Sequence, residues 1–227
     1  LNFKEPKYYV KFFEKYRDLK LPVRIIIIDN YSTDGTREKI KELCEKNKNI
    51  KGILNAKNFG QLNSPFYGLT QTTGDGVILM CADFQDPPKM ITEFVKEWEK
   101  GYKIVIGIKN KSKESKLMYF IRTLYYKMIK KIANIEHIEH FTGFGLYDKD
   151  FIEVLRKLDD PTPYLRGIVS ELGFERKEIT YEQPKRKYGK TKPKRATPTV
   201  VQINQILRPT LSIYLPEIAI VMANEIA

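Results

Sequence analysis

Two short stretches of this 227-residue chain gather oxygen-bearing side chains where an apolar run ends. In the first, VRIIII passes into DNYSTDGT, which offers Asp29, the hydroxyls of Ser32 and Thr33, and Gly35 at the turn. In the second, LMCADFQDPP places Asp83, Gln85 and Asp86 within four residues, directly before Pro87 and Pro88. Carboxylates beside a buried strand cost free energy unless something pairs with them, and prolines stop a strand and fix its exit. The second loop's oxygens are of the hard type that suits Mg2+ or Mn2+, which are held by one or two carboxylates plus substrate phosphates. An acid just past a strand, as at Asp29, is placed to hold a ribose or a base edge. The bland alternatives are a turn with a helix cap at Asp34, and a capped turn stiffened by the two prolines. His137 and His140 are the only histidines, and their spacing could put both on one helix face. With no third ligand nearby, they read as solvated residues of a charged turn.

The elements that would position these loops alternate in type. VRIIII is a short β-branched run, followed by turn residues 30–35 and the helical stretch TREKIKELCEKN. GVILMC is a strand ending at the acids, and KMITEFVKEWEKG carries apolar residues at 90, 91, 94, 95 and 98 before closing on Gly101. KIVIGI is a further strand. Strands alternating with helices imply a mostly parallel sheet covered on both faces, with ligands bound outside the carboxyl ends of its strands. Both acid-bearing loops sit at such ends.

Leu117, Phe120, Ile121, Leu124, Tyr125, Met128, Ile129 and Ile132 follow helical spacing, with Lys116, Arg122, Lys127, Lys130 and Lys131 between them. This pattern predicts a long basic amphipathic helix, packed on the core or lying at an anionic membrane surface. The net charge of +12 admits nucleic acid, a membrane surface or a phosphate-bearing substrate as partner. No recognition motif supports nucleic acid. Two cysteines without a paired framework, Cys44 and Cys81, predict reduced thiols and a cytosolic environment. No run of about eighteen apolar residues predicts a transmembrane helix. LNFKEPKYY does not read as a signal peptide, and the absence of an initiator Met reads as a fragment or an ordered part of something longer.

The series IIIIDNYSTDGT, KNFGQLNSPFYGLTQTTGDGVILMCADFQDPP, TGFGLYDKD, YLRGIVSELGF and YEQPKRKYGKTK resembles the family-two glycosyltransferases of the GT-A fold. Within them it is most similar to the polyprenyl-phosphate glycosyltransferases, the bacterial relatives of dolichyl-phosphate mannose synthase. The resemblance covers roughly residues 20 to 192. It implies an α/β fold, a GT-A (Rossmann-like) mostly parallel sheet flanked by helices, with residues 1–192 as the catalytic domain and 193–227 as a juxtamembrane or interaction segment. It implies that Asp29, with Asn30 in place of a second acid, contacts the nucleoside, and that Asn58 and Gln61 lie beside the nucleotide. By the same resemblance Asp83 and Gln85 hold the metal. Arg166, Arg186 and Lys192 meet the phosphates or the acceptor, and Asp83, Asp86 and Arg186 carry the catalysis. The implied cofactor is Mg2+ or Mn2+. The implied partners are a nucleotide-diphosphate sugar, a polyprenyl phosphate and the anionic cytoplasmic face of the cell membrane, with a homo-oligomer possible and no nucleic acid.

Three positions depart from the family pattern. Cys81 stands where the first metal-motif acid is usual, so a metal would be held through one carboxylate, Gln85 and the nucleotide. Gly143 and Gly145 stand where many members of this branch carry Asp and Arg. The fold's first strand, which ends in a segment walling the nucleotide, is expected before Leu1 and is not found in this chain. The function implied is inverting transfer of a hexose to a polyprenyl phosphate. The alternatives are transfer to a sugar hydroxyl in surface-polysaccharide assembly, with Asp86 or Asp148 as base, and a glycosyltransferase-like binding protein that has lost catalysis. The basic stretch Tyr181 to Lys192 is expected to be a loop that orders over phosphates.

Overall fold

The structure, a computed structural model, describes residues 24–82, 85–110, 138–158, 160, 163–184 and, as backbone, 220–224. Its strands are β1 (Ile25–Asp29), β2 (Ile50–Leu54), β3 (Gly76–Cys81), β4 (Ile104–Lys109), β5 (Phe141–Asp148), β6 (Arg176–Tyr181) and β7 (Ile220–Asn224). Its helices are α1 (Thr36–Lys46), α2 (Gly60–Thr70), α3 (Met90–Trp98), α4 (Lys149–Lys157) and α5 (Leu165–Glu171). The basic amphipathic run 116–132, His137, Asp83, Arg186 and Lys192 lie outside the described residues.

The seven strands form one sheet in the order β2-β1-β7-β3-β5-β4-β6. All pairs are parallel except those of β5 with β3 and with β4. All five residues of β1 are buried, as a strand covered on both faces requires. Alternation then sorts side chains between two layers. Ile25, Ile27, Ile78 and Met80 pack with Ile40 of α1 and with Met90, Ile91 and Phe94 of α3. Ile28, Val77 and Leu79 pack with Phe66 and Leu69 of α2, Phe151 and Ile152 of α4, and Ile168 of α5. Phe94, fully buried, meets Phe144 edge to face at 4.9 Å between centroids, a geometry contributing about 0.5–1.5 kcal/mol beyond area burial.

The α/β reading and the mostly parallel sheet hold. Helix α1 begins differently from the expected cap at Asp34: Gly35 is the N-cap, in the left-handed region at φ 83°. Asp34 acts from one residue further out, accepting from the Thr36 N–H at 3.2 Å and the Thr36 hydroxyl at 2.6 Å. Helix α2 contains Pro65, which has no N–H to donate to the Gln61 carbonyl one turn earlier. The place beside β1 where the resemblance leaves a strand to be found is held by β7, from the far end of the chain. It runs parallel to β1 on one side and to β3 on the other. Residues 220–224 of the segment set apart by the sequence reading therefore lie in the middle of the domain's sheet.

Candidate active site

The carboxyl ends of β1, β7 and β3 open on one edge of the sheet, and the described candidate residues other than Asp148 collect there. Asp29 closes β1 and is fully buried. Its carboxylate accepts from the Ser32 N–H at 3.0 Å and from the Ser32 hydroxyl, and Arg37 Nη1 lies 3.5 Å away. Those contacts offset the desolvation of a buried charge and hold the loop in a tight turn, with Tyr31 at φ 71°. The Arg37 guanidinium also donates to the Asn55 carbonyl at 2.9 Å, so a cation from α1 ties the ends of β1 and β2 together.

Asn30 is buried and uses its amide in both senses. Its Nδ2 donates to Asn58 Oδ1 at 2.9 Å and to the Gly60 carbonyl at 3.2 Å. Its Oδ1 accepts from the Phe59 N–H at 2.8 Å and from Asn55 Nδ2 at 3.2 Å. Asn55 continues the network to Ser64 Oγ at 2.9 Å, and Asn58 Oδ1 accepts from the Gly60 N–H at 2.8 Å. An aspartate could accept but not donate to two oxygens, so the change from the family's acid is matched by its surroundings. Asn30 and Asn58 thus meet directly and fix the start of α2, where Gln61 lies.

At the end of β3, Asp86 turns back on the strand. Its Oδ2 accepts from the Cys81 N–H at 2.8 Å and its Oδ1 from the Tyr181 hydroxyl at 3.2 Å. Burial first, and the Asp86 carboxylate second, push the Tyr181 hydroxyl well above its ordinary value, so it remains a donor throughout the neutral range. Asp86 is 3% exposed, a brace between β3 and β6. Asp148, the other acid considered as a base, lies at the opposite edge of the sheet, paired in register with Gly76 at the start of β3. There it accepts from Trp98 Nε1, Lys103 Nζ and the Asp150 N–H. Burial pulls the Lys103 ammonium down, but the hydrogen bonds to Asp150 and Asp148 outweigh it and raise its pKa. Asp148 is thus a helix cap and an anchor for Lys103, remote from the crevice.

Between α2, β3, β5 and the start of α5 lies a cleft of about 550 Å³ including its open mouth. Leu62, Pro65, Phe66, Leu79, Phe144 and Leu165 make its walls mainly apolar. Gln61, Cys81, Asp86, Thr142 and Arg166 supply polar groups. Arg166 sits in the first turn of α5, its guanidinium 5.2 Å from the Tyr164 ring centroid and Nη1 3.4 Å from the Phe141 carbonyl. A cation at a helix N-terminus is opposed by the helix dipole by about 0.3–1 kcal/mol, so folding alone does not favour it there. Cleft and crevice share the end of β3.

The two glycines of β5 are dictated by the backbone. Gly143 has φ +99°, and the buried Tyr147 hydroxyl donates to its carbonyl at 2.6 Å. A Cβ at Gly145 would lie 2.6 Å from the Val105 carbonyl oxygen. Opposite, the β4–β5 register shifts between Ile106 and Ile108. The Asp that the resemblance places at 143 would be strained by the positive φ, and the Arg it places at 145 would collide with the β4 backbone.

Among the described residues no cluster of three or more metal-ligating side chains forms. Of the two residues that the sequence reading gives to the metal, Gln85 follows the end of β3 and Asp83 lies outside the described residues. The hard oxygens fit Mg2+ or Mn2+ with substrate phosphates completing the shell, while a soft thiol at Cys81 does not add to it. Sequence reasoning brought Asp29, Asn30, Asn58, Gln61, Gln85, Asp86 and Arg166 into view, and the structure sets them around one edge. It missed Arg37, Asn55, Ser64 and Tyr164, and it put Tyr181 in the loop Tyr181 to Lys192, whereas Tyr181 ends β6 and is buried; residues 185–192 lie outside the described residues. Only Asn55, an amide at a strand end, carried a local signal.

Residues 2–173 match the sequence model for glycosyl transferase family 2. A protein described as a glycosyltransferase, CsbB of Bacillus subtilis (strain 168), is 29% identical over 179 residues, 79% of this chain and 54% of its own length. The prophage bactoprenol glucosyl transferase homolog of Escherichia coli (strain K12) and the bactoprenol glucosyl transferase of Shigella phage SfX are each 28% identical over 186 residues. Each match covers 81% of this chain and 61% of the relative. The chain thus spans between half and two thirds of the length of these curated relatives. With the loops, the crevice and the sequence match in agreement, the chain belongs to glycosyl transferase family 2.

Proposed function

We propose that the chain moves a hexose from a nucleotide-diphosphate sugar to a polyprenyl phosphate, with inversion at the anomeric carbon, at the cytoplasmic face of the membrane. One observation carries the choice of acceptor. Among the described residues the cleft offers one carboxylate, Asp86, and both its oxygens already accept hydrogen bonds from the fold. A sugar hydroxyl needs a base to remove its proton, whereas a phosphate monoester is anionic at neutral pH and attacks unaided. An apolar wall ending at Arg166 matches the chemistry of a phosphate on a hydrocarbon chain. The names of the bactoprenol glucosyl transferases among the relatives point the same way.

In this reading Asp29, Asn30 and Asn58 shape the nucleoside half of the site, and Gln61, Arg166, Arg186 and Lys192 meet the phosphates. Breaking the anomeric C–O bond leaves charge on the departing diphosphate, so preorganised cations there lower the barrier. A divalent metal, held through Asp83 and Gln85, would supply further positive charge to the same diphosphate.

The test is transfer from UDP-glucose and other nucleotide sugars with Mn2+ or Mg2+, with and without a short polyprenyl phosphate. Product on the lipid phosphate supports the reading. Transfer only to a sugar hydroxyl, or none with any donor, overturns it.

A further inference from the structure

We infer that the outer face of α2 is the surface by which this domain rests on an anionic bilayer, with Phe59 and Tyr67 entering the headgroup layer and Lys57 meeting lipid phosphate. The inference rests on the functional reading above and adds to it the face of the molecule that approaches the acceptor's membrane.

Among the described residues three large hydrophobic side chains are exposed: Tyr31 by 51%, Phe59 by 44% and Tyr67 by 50%. All three belong to one region. Phe59 caps α2, Tyr67 lies two turns along it, and Tyr31 follows Asn30, whose amide oxygen accepts from the Phe59 N–H at 2.8 Å. Phe59, Asn63, Tyr67 and Thr70, spaced by four, four and three, share one stripe of the helix, while Ser64, Gly68 and Leu69 are buried on its other side. Charge does not keep this stripe in water. Residues 58–74 hold no Asp, Glu, Lys or Arg, in a chain that is 30% charged, and each of the other four described helices carries at least two charged side chains. Exposed apolar surface of this kind marks a contact site. The stripe measures about 16 Å by 10 Å, well short of the roughly 800 Å² that each partner of a stable dimer buries, so a second copy is too large an occupant. A bilayer interface fits it. Aromatic rings settle at headgroup level, and a tyrosine there keeps its hydroxyl wet. Lys57 Nζ stands 5.1 Å from the Phe59 ring centroid, so a cation accompanies the ring to the lipid phosphates. The same helix also walls the cleft, through Gln61, Leu62, Pro65 and Phe66. A polyprenyl chain stays in the bilayer, so its phosphate reaches Arg166 only where a wall of the cleft touches the membrane. The wall with an aromatic, uncharged outer face is α2.

Two measurements on the full chain test this, with vesicles of phosphatidylcholine and phosphatidylserine that contain no polyprenyl phosphate. Tyr67→Trp adds an indole to a chain whose one tryptophan, Trp98, packs against the core. On vesicles the emission of this variant should shift to the blue and be quenched by brominated acyl chains, while wild-type emission stays unchanged. Tyr67→Ser should lower flotation about threefold at one fixed salt concentration, with melting and calorimetric titration by UDP or GDP with Mn2+ as in the wild type. An unquenched indole in protein that floats would put the contact on another face and overturn the inference. Wild-type protein that does not bind the vesicles, or Tyr67→Ser that floats as well as wild type, would overturn it too. A lipid-free dimer, seen by sedimentation and dissociated by Tyr67→Ser, would give the stripe to a second copy instead. The functional reading fails separately: vesicle contact through α2, with transfer only to a sugar hydroxyl, would overturn that reading and leave this surface standing.

Discussion

Asn30 is the residue where one atom's difference matters most. Asn30→Asp would replace a donor by an oxygen facing Asn58 Oδ1 and the Gly60 carbonyl, losing two hydrogen bonds and adding repulsion. A loss of about 1–3 kcal/mol is expected, read as a lower denaturant midpoint, together with weaker nucleotide binding. Restoring the family's usual acid would thus harm this protein, and an unchanged midpoint would show that the network is slack. Asp86 gives a second case. Were it a base, Asp86→Asn would abolish turnover and leave melting alone. As a brace on the Cys81 N–H and the Tyr181 hydroxyl, it should lower the melting temperature, with turnover falling less than tenfold. The residue types of the crevice were legible in the sequence because acids and amides next to apolar runs are costly and conspicuous. What Asp86 does was not legible, since its partner Tyr181 lies far along the chain in another strand.

At the scale of elements, β5 is the strand with least freedom. Gly145→Ala must push against a backbone carbonyl, and a loss of about 1–3 kcal/mol is expected by chemical denaturation. Gly145→Arg should fail to give folded protein. A neutral result for Ala would mean that the β4–β5 bulge absorbs the methyl group. β5 and β6 also predict an alkaline limit. Burial first, and the Asp86 carboxylate second, raise the hydroxyls of Tyr147 and Tyr181 above the ordinary value of 10.0. A raised folded value means that the protonated form is the one the fold favours. Its contribution is complete below pH 10 and is lost as the pH climbs beyond it. Denaturation followed from pH 7 to 12 should show a plateau and then a fall starting near pH 10, and Tyr181→Phe should blunt that fall. Elements with clean periodicity, β3 and α3, were readable from the sequence almost to the residue. Helix α2 was not, because Gly60, Asn63, Ser64, Pro65 and Gly68 break every helical pattern and tertiary packing against β1 and β3 overrides propensity.

For the whole molecule, the charge of +12 should draw the chain to anionic membranes. Among the described residues no helix is long and apolar enough to cross a bilayer. Each well-placed Lys or Arg is worth roughly 1 kcal/mol near an anionic surface, and the attraction is screened within a Debye length. Flotation with phosphatidylserine vesicles should recover the protein at low salt, with recovery falling as salt rises. Equal recovery with neutral lipid would assign the affinity to apolar contact instead. The domain's parallel core could be read from the alternation of strands and helices. The strand that completes it could not, since a five-residue run carries no record of which distant edges it will join.

The central position of β7 has a bearing on how this protein is made. On the ribosome, β1 and β3 emerge early and β7 emerges after every other described strand. At ordinary rates of synthesis the interval between β3 and β7 is on the order of ten seconds. For that time the nascent chain carries two apolar strands whose facing edges lack their partner, a hazard for pairing with other chains. The yield of folded protein should therefore depend on slow translation, low temperature or chaperones more than the size of the domain suggests.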